Sequence, residues 1–241
     1  MGTATPDRSP SIGEVVRSLV FYAVFYGATA VYMIGATIAV FVRPAAIGRI
    51  STAWSNFHRW CLTNILGIRV RLQGRWPTAQ VLVAAKHESY YDALDMPTLL
   101  DRPIMFPKAE LLRLPLWGRA ARAYGMVGVE RNQGAKALRD MVAGARELLP
   151  TGRSMAIFPE GTRVPHGTEP PLQAGFAGLY KMLGLPVVPV AVDSGPLYHR
   201  RWKRRGTITV AIGEPIPAGL PRAEVEARVH AAINALNGAE P

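Results

Sequence analysis

The chain has 241 residues, of which 49% are hydrophobic, and this length is enough to bury a full core. It carries 28 Lys and Arg against 17 Asp and Glu, a net charge of +11 that indicates an anionic partner: a phosphate-bearing substrate, an acidic carrier, lipid headgroups or nucleic acid. The single cysteine, Cys61, excludes an intramolecular disulfide and a zinc site built from several cysteines, and we interpret it as a small buried side chain.

The first long apolar segment lies between Arg17 and Arg43. Residues 18–42 are uncharged, and as a helix they extend roughly 37 Å, enough to cross a hydrocarbon core. The segment is too long for the apolar part of a signal peptide, and it lacks a small-residue cleavage site. It therefore predicts a membrane-anchoring helix, with a simple span as the first interpretation. Gly27 and Gly35 leave open a bent helix pair that enters only one leaflet.

A basic region follows. Residues 43–75 contain six Arg and no acidic residue, which by the positive-inside bias predicts that the C-terminal body lies on the cytoplasmic side of the cell inner membrane. Within this region Trp54, Phe57 and Trp60 recur at helical spacing. That pattern fits either an interfacial amphipathic helix or an ordinary helix facing the core.

The rest of the chain alternates short β-like runs with helical ones, which predicts an α/β domain with a mixed, mainly parallel sheet flanked by helices. We place this domain at residues 67–241 and the membrane anchor with its interfacial helix at residues 1–66. The predicted strands are 68–74, 80–86, 103–109, 125–131, 154–160, 185–192 and 207–214, and the predicted helices are 109–121, 134–149, 174–183 and 222–236.

The stretch KHESYYD carries the first chemical signal. His87 stands five residues before Asp92, and on one continuous helix the two side chains would point about 140° apart. If His87 instead ends the strand and Asp92 lies in the first turn of a following helix, the carboxylate can reach the imidazole. The stretch then supplies a general base and the group that orients it.

Charged residues also stand at the ends of the neighbouring predicted strands. Lys108 and Arg131 end two of them, and the sequence FPEGTR, residues 158–163, ends a third. Carboxyl ends of parallel strands meet at one edge of a sheet, where α/β proteins bind their ligands. We therefore expect these groups to lie near His87.

Several familiar catalytic motifs are missing from the sequence. It has no G-x-S-x-G, no G-x4-G-K-[ST], no G-x-G-x-x-G and no H-E-x-x-H. We therefore expect neither a metal nor a nucleotide cofactor. A histidine–aspartate pair without a protein nucleophile favours transfer of a group to a hydroxyl of the substrate.

Four segments together resemble the sequence blocks of the glycerolipid acyltransferase family. HESYYD is similar to the family's H-x4-D block, GMVGVER to its second block, FPEGTR to its third and LPVVPVAV to its fourth, in the family's order and spacing. The resemblance extends from about residue 81 to residue 192. The family usually has Gln where this chain has Glu88.

The resemblance implies an acyltransferase that needs no cofactor. His87, held by Asp92, would activate the 2-hydroxyl of a lysophosphatidic acid, which attacks the thioester of acyl-CoA or acyl-carrier protein and gives phosphatidic acid for phospholipid synthesis. The substrate-binding residues so implied are cations for the acceptor phosphate and a segment that positions the acceptor: Lys108, Arg131, Glu160, Gly161, Thr162 and Arg163.

The basic cluster HRRWKRR, residues 199–205, has two interpretations at this stage: a contact with lipid headgroups, or a landing patch for an acidic acyl carrier. We do not expect a nucleic-acid partner, because nothing else in the chain resembles a nucleic-acid module. Two other functions stay open. The acceptor could be glycerol 3-phosphate or a lyso-ornithine lipid, or the chain could be a non-catalytic lipid-binding protein of the membrane.

Overall fold

The computed structural model describes residues 9–130 and 134–238. A six-stranded sheet with the order β1-β6-β5-β2-β4-β3 forms its centre. Strands β5, β2, β4 and β3 run parallel, whereas β6 is antiparallel to β5 and parallel to β1. The strands are Ile68–Gln73 (β1), Leu82–Ala85 (β2), Ile104–Met105 (β3), Met155–Ile157 (β4), Val187–Val192 (β5) and Gly206–Ile212 (β6). The predicted α/β class with a mixed, mainly parallel sheet is confirmed.

Helices cover both faces of this sheet. Successive residues of a strand point to opposite faces, so in β2 Leu82 packs in the core on one side and Val83 in the core on the other. Every residue of β2 and β5 is buried, as their apolar sequences predict. The helices are Ile12–Val42 (α1), Ile47–Cys61 (α2), Tyr90–Leu99 (α3), Ala109–Leu112 (α4), Trp117–Tyr124 (α5), Gly134–Leu148 (α6), Ala174–Leu183 (α7), Gly195–Tyr198 (α8) and Arg222–Ile233 (α9).

Helix α1 is long and apolar enough, by length and composition, to cross a membrane. It begins with a capping box in which Ser11 and Glu14 exchange hydrogen bonds with each other's backbone N–H groups. Both Gly27 and Gly35 lie inside the continuous helix. The chain turns back at a short 3₁₀ segment, Pro44–Ala46, so α1 and α2 form a helical hairpin whose bend is at the proline and not at the glycines.

Both halves of α1 contact the rest of the protein. Near its start, the hydroxyl of Ser18 accepts a hydrogen bond from the backbone N–H of Lys203 at 2.9 Å. Near its end, Ala36 and Ala39 pack with Ala120 and Tyr124 of the body. The helix therefore lies along the body for about 30 Å. Its outer face exposes large apolar side chains, among them Leu19, Val31, Ile34, Ile38 and Phe41.

Helix α2 combines features of both interpretations of its sequence pattern. Its inner face buries Ser55, His58 and Cys61, as a helix facing the core does. Trp60, however, is 52% exposed at its outer edge. A π-helical turn follows, Leu62–Leu66, and Gly67 ends it in the left-handed conformation with φ +69°, immediately before β1.

Two predicted elements are wrong. The segment predicted as a strand at 125–131 forms no regular strand in its described part, because Gly125 adopts a left-handed φ of +92° and only Val129 bridges to Lys108. The helix predicted at 109–121 is broken into α4 and α5. Pro115 lies at the break and cannot continue a helical hydrogen-bond pattern, since it has no backbone N–H.

Candidate active site

The histidine–aspartate pair lies at the carboxyl edge of the parallel strands. His87 follows β2 by two residues, and Asp92 is the third residue of α3, so the chain folds back as its sequence predicts. The His87 Nδ1 atom lies 3.1 Å from the Asp92 Oδ2 atom. The histidine side chain is 15% exposed while the carboxylate is buried, so only the histidine is accessible to a ligand.

Asp92 accepts hydrogen bonds on both carboxylate oxygens. Oδ2 accepts from the backbone N–H groups of Glu88 and Ser89 at 2.7 and 2.8 Å, in addition to facing the histidine. Oδ1 accepts from the Ser194 hydroxyl at 2.6 Å. Asp92 therefore caps helix α3 and holds the imidazole at the same time, and one set of contacts fixes both.

The nearby serine hydroxyls are engaged elsewhere. Ser89 is the N-cap of α3, and its Oγ atom accepts from the backbone N–H of Tyr91 at 3.1 Å. The same oxygen lies 2.7 Å from the hydroxyl of Ser194. Because Ser194 donates its proton to Asp92, Ser89 must donate to Ser194. Ser89 is thus part of the support of Asp92, and His87 does not contact it.

A buried ion pair lies directly beneath the histidine. The Lys86 ammonium donates to Glu160 Oε1 at 2.7 Å, to the Thr168 carbonyl at 2.7 Å and to the Asn234 side chain at 2.6 Å. The second oxygen of Glu160 accepts from the backbone N–H of His87 at 3.3 Å. Because both charged side chains are fully buried, removing either one would leave an uncompensated charge.

The predicted acceptor segment, residues 158–163, contains side chains in three different environments. Glu160 is buried on Lys86, and within residues 9–130 and 134–238 no arginine pairs with it. Gly161 has φ +76°, and a Cβ atom there would lie 2.7 Å from Gln173 Cγ, so only glycine fits. Thr162 is exposed. The Arg163 guanidinium stacks 3.9 Å above the ring of Tyr90, next to the first turn of α3.

Of the remaining two predicted cations, the structure describes only Lys108. Lys108 is exposed and bridges to Val129, which places it beyond the end of β3. Arg131 lies outside the described residues. Its predicted role as a phosphate ligand therefore stays a prediction.

An apolar cavity of about 670 Å³ opens beside the histidine. Phe158 connects the two, because its ring lines the cavity and also stacks on the His87 ring with 4.0 Å between centroids. Deeper in the cavity the walls come from helices α6 and α7 and include Leu138, Met141 and Phe176. A volume of this size is typical of sites for small ligands, and this lining suits a hydrocarbon chain.

Glu88, which stands where the resembling family has Gln, makes a second histidine–carboxylate contact. Its Oε1 atom lies 2.9 Å from His166 Nδ1, and Oε2 accepts from the backbone N–H of Gly195 at 2.8 Å. Burial raises the pKa of the Glu88 carboxyl and the charge of Asp92 adds to this, while His166 and the Gly195 N–H group oppose it. The contact attaches the 164–172 loop to the turn that carries His87.

Sequence reasoning missed several of these residues. Lys86 stands inside the quoted stretch, and a lysine at the end of a fully buried strand is a usable signal for an internal ion pair. Ser194 follows the predicted strand at 185–192 and could have been included with the other strand ends. Nothing in the sequence pattern indicates that Asn234, from the last helix, reaches Lys86.

Fold and site together define an α/β enzyme with a histidine–aspartate pair at the carboxyl edge of its sheet. A family model described as Acyltransferase matches residues 67–193. The chain belongs to this acyltransferase family, and the family resemblance predicted from the four sequence blocks is confirmed.

Named relatives carry the same description. The chain is 28% identical over 214 residues to a 1-acyl-sn-glycerol-3-phosphate acyltransferase of Pseudomonas aeruginosa, covering 85% of this chain and 82% of that protein. It is 30% identical over 160 residues to the human alpha form, covering 64% of this chain and 56% of that protein. The chain thus spans little more than half of the human relative.

One solved structure matches almost the whole fold. The crystal structure of the 1-acyl-sn-glycerophosphate acyltransferase PlsC from Thermotoga maritima superposes with a TM-score of 0.72, at 23% identity, over 95% of this chain and 99% of that one. At this identity the match establishes the fold alone.

Proposed function

We propose that the protein transfers an acyl group from a thioester to the 2-hydroxyl of a 1-acyl-glycerol-3-phosphate, producing phosphatidic acid. The observation that carries the proposal is that Phe158 lines an apolar cavity and also stacks on His87, the histidine of the His87–Asp92 pair. A base beside a hydrocarbon-binding cavity suits the activation of a hydroxyl against a fatty acyl group. A bacterial and a mammalian relative with this named activity support the same substrate class.

The proton path follows from the contacts of the imidazole. Asp92 is an acceptor, so Nδ1 of His87 carries a proton and Nε2 is the basic nitrogen. In our proposal Nε2 takes the proton of the acceptor hydroxyl while its oxygen bonds to the thioester carbonyl carbon. The tetrahedral intermediate then breaks its carbon–sulfur bond, and the imidazolium returns the proton to the leaving thiolate. The charge of Asp92 stabilises the imidazolium between these steps.

We assign the apolar cavity to the acyl chain of the donor. The cavity wall nearest His87 is Phe158, so a chain that enters there leaves its thioester carbon close to the base. Acyl-CoA and acyl-carrier protein present the same thioester, and both remain candidate donors. No bound metal or nucleotide has a role in this mechanism.

The acceptor phosphate is assigned to the other side of His87, where Arg163 stands on Tyr90. Stacking on the ring fixes the plane of the guanidinium and leaves its edges available for phosphate oxygens. Lys108 and Arg131 are proposed as additional cations. Because Glu160 is buried on Lys86, its proposed role is to hold the backbone of His87 and not to touch the glycerol.

We propose that residues 1–66 associate the enzyme with a membrane, with the body of residues 67–241 on the cytoplasmic side of the inner membrane. The exposed apolar face of α1 supports the association. Because α1 contacts the body at both of its ends, we favour a helix that lies with the body at the membrane surface over an isolated span. This revises the first interpretation of the segment.

A transfer assay with purified full-length protein tests the proposal. Lyso-acceptors with and without a phosphate are each paired with acyl-CoA and with acyl-carrier protein, and His87→Ala is compared with His230→Ala, a histidine on α9 away from the site. We expect transfer only to phosphate-bearing lyso-acceptors and only in the wild type and the His230 variant. Near-normal turnover by His87→Ala, or no transfer to any acceptor, would overturn the proposal.

A further inference from the structure

A second cavity, of about 630 Å³, lies between the helical hairpin and the body and takes no part in the proposed reaction. We call it the aromatic–basic groove. Aromatic side chains of the hairpin form one wall, among them Tyr22, Tyr26 and Trp54. The opposite wall carries three cations from the basic cluster, Arg200, Arg201 and Lys203. In the described part of the chain no carboxylate lines the groove.

Lys203 is the unusual member of this wall, because it is only 6% exposed. Its ammonium donates to the carbonyls of Tyr198 at 2.9 Å and Arg200 at 3.3 Å, and it lies 3.9 Å above the ring of Tyr198. Within residues 9–130 and 134–238, no acidic side chain pairs with it. A buried cation is costly without an opposite charge, so this site is suited to an anion supplied from outside.

Burial lowers the pKa of two groove residues, and for one of them neighbouring cations add to the effect. Burial lowers the pKa of Lys203 to about 8. Burial also lowers the pKa of His199, another groove residue, and the positive charges of Arg163 and Lys203 lower it further. An anion in the groove would relieve these unfavourable interactions.

The position of the groove indicates where such an anion comes from. One wall is α1, whose outer face exposes Leu19 and other apolar side chains to the surroundings. On the far wall the Arg201 guanidinium lies 4.7 Å above the ring of Trp202, a pairing suited to the boundary between headgroups and hydrocarbon. If α1 rests in the membrane, the groove therefore lies at the depth of the phosphates of the bilayer lipids.

We propose that the aromatic–basic groove binds the headgroup phosphate of an anionic bilayer phospholipid, with its acyl chains along the aromatic side chains of α1. A protein carrier fits less well, since Lys203 is buried behind α1 where only a headgroup on a flexible chain can reach. Tyr90 forms the wall toward the candidate active site and carries Arg163 on its ring, so the groove adjoins the proposed acceptor site across this one side chain. Binding of this lipid requires a membrane but does not require acyl transfer.

Fluorescence quenching in reconstituted vesicles tests this assignment, because Trp54 lines the groove. The full-length protein is placed in phosphatidylcholine vesicles containing either brominated phosphatidylglycerol or brominated phosphatidylcholine. We expect stronger quenching by the anionic lipid. In Lys203→Met and Arg201→Ala the preference should fall about fivefold each, as expected for one cation near a lipid headgroup. The matched control is Lys181→Met, which removes an exposed charge from α7 and should keep the preference.

Additional variants show whether the quenching comes from the groove. Trp54→Phe should remove most of the preferential quenching, and melting curves should show that Arg201→Ala, whose side chain is exposed, is folded. Equal quenching by the two lipids, or an unchanged preference in both groove variants, would overturn the proposal. Quenching by brominated lysophosphatidic acid, with none by brominated phosphatidylglycerol, would assign the groove to the acceptor and would also overturn the proposal. Quenching needs no turnover, so His87→Ala should behave as the wild type even if the proposed acyl transfer is wrong.

Discussion

The two cavities beside the site have nearly equal volumes, about 670 and 630 Å³, but differ in charge. Among the described residues, the only charged one that lines the first is Glu160, whose charge is already balanced by Lys86. The second carries three cations with no carboxylate among its described lining residues. Charge, and not the available space, therefore distinguishes the cavity proposed for a hydrocarbon tail from the groove proposed for a phosphate.

The first turn of α3 stands between the two. Tyr90 lines the basic side, and two residues later Asp92 holds His87, whose ring contacts Phe158 on the apolar side. The proposed acceptor phosphate at Arg163, which stacks on Tyr90, and the proposed acyl chain beside Phe158 can therefore both reach His87. Four changes would break or sharpen this comparison.

The largest expected effect is that of Asp92→Asn, in the first turn of α3 between the two cavities. The amide oxygen can still accept from the Glu88 and Ser89 N–H groups, and its NH₂ group can donate to the Ser194 hydroxyl. The turn should keep its shape while the imidazolium loses its counter-charge, so turnover should fall about 10²- to 10⁴-fold. Steady-state rates with a melting curve measure this. An unchanged rate would mean that Asp92 serves only as a helix cap.

Arg163→Ala tests the basic side at the acceptor phosphate. Loss of one charge-assisted contact, roughly 1.5–3 kcal/mol, should weaken the apparent affinity for acceptor about 10- to 150-fold and leave that for the donor unchanged. Arg163→Lys should recover only part of the loss, because an ammonium lacks the planar fork. Kinetics in which each substrate is varied in turn measure both affinities. Equal weakening of donor and acceptor would contradict the phosphate role.

Gly175→Leu tests the apolar side. Gly175 lines the first cavity, and a Cβ atom there would meet only Met141 Cε, at 3.9 Å. A leucine can therefore extend into the cavity and displace the end of a long acyl chain. Loss of about two buried methylenes should lower transfer from long-chain donors roughly tenfold, with short-chain donors unaffected. Gly175→Ala is the matched control. An equal loss for all chain lengths would show that the cavity holds something else.

The smallest effect concerns stability beneath the aromatic–basic groove. His58 Nε2 lies 2.9 Å from the hydroxyl of Tyr198, a groove residue, and its Nδ1 atom has no partner in the described chain. Burial, with Lys203 and Arg59 adding to it, lowers the pKa of His58 to about 3. The folded protein keeps His58 neutral, while the unfolded chain takes up a proton below pH 6.5.

The stability that depends on neutral His58 is therefore complete above about pH 6.5 and is lost as the pH falls toward 3. Between pH 6.5 and 5 the loss should be about 2 kcal/mol. Melting curves recorded from pH 7 to pH 5 should show this loss in the wild type and a smaller loss in His58→Gln. An equal loss in both proteins would show that another group is responsible. His230→Gln, on α9, should keep the wild-type dependence.

The fold was accessible to sequence reasoning where each element carries its own signal. Helix α7 has the predicted bounds because Gly184 ends it in the left-handed conformation. Strand β5, Val187–Val192, lies within the segment predicted at 185–192 because a continuous apolar run suits a strand covered on both faces. The strand predicted at 125–131 is wrong because its glycines allow other side chains to approach the backbone closely. A Cβ atom on Gly128 would lie 2.6 Å from Leu112 Cδ1, a contact that no local pattern reveals.

The candidate site also contains contacts that the sequence could predict and contacts that it could not. The His87–Asp92 contact could be predicted because a strand end and a helix start lie within five residues. The contacts of Lys86 could not, since Glu160, Thr168 and Asn234 come from distant parts of the chain. Likewise every residue of the cluster at 199–205 except Trp202 is basic, and only the packing against α1 makes Lys203 differ from the other cations by burying it. The roles proposed for these residues remain predictions.

The contacts of α1 at both of its ends have a consequence for membrane asymmetry. With Ser18 joined to Lys203 and Ala39 packed near Tyr124, the body cannot swivel about the helix or rise away from it. A protein attached in this way would keep His87 at one height and facing one leaflet. Lipids of the opposite leaflet would be out of reach, so new product would enlarge one side of the bilayer until a transbilayer carrier or flippase redistributes it.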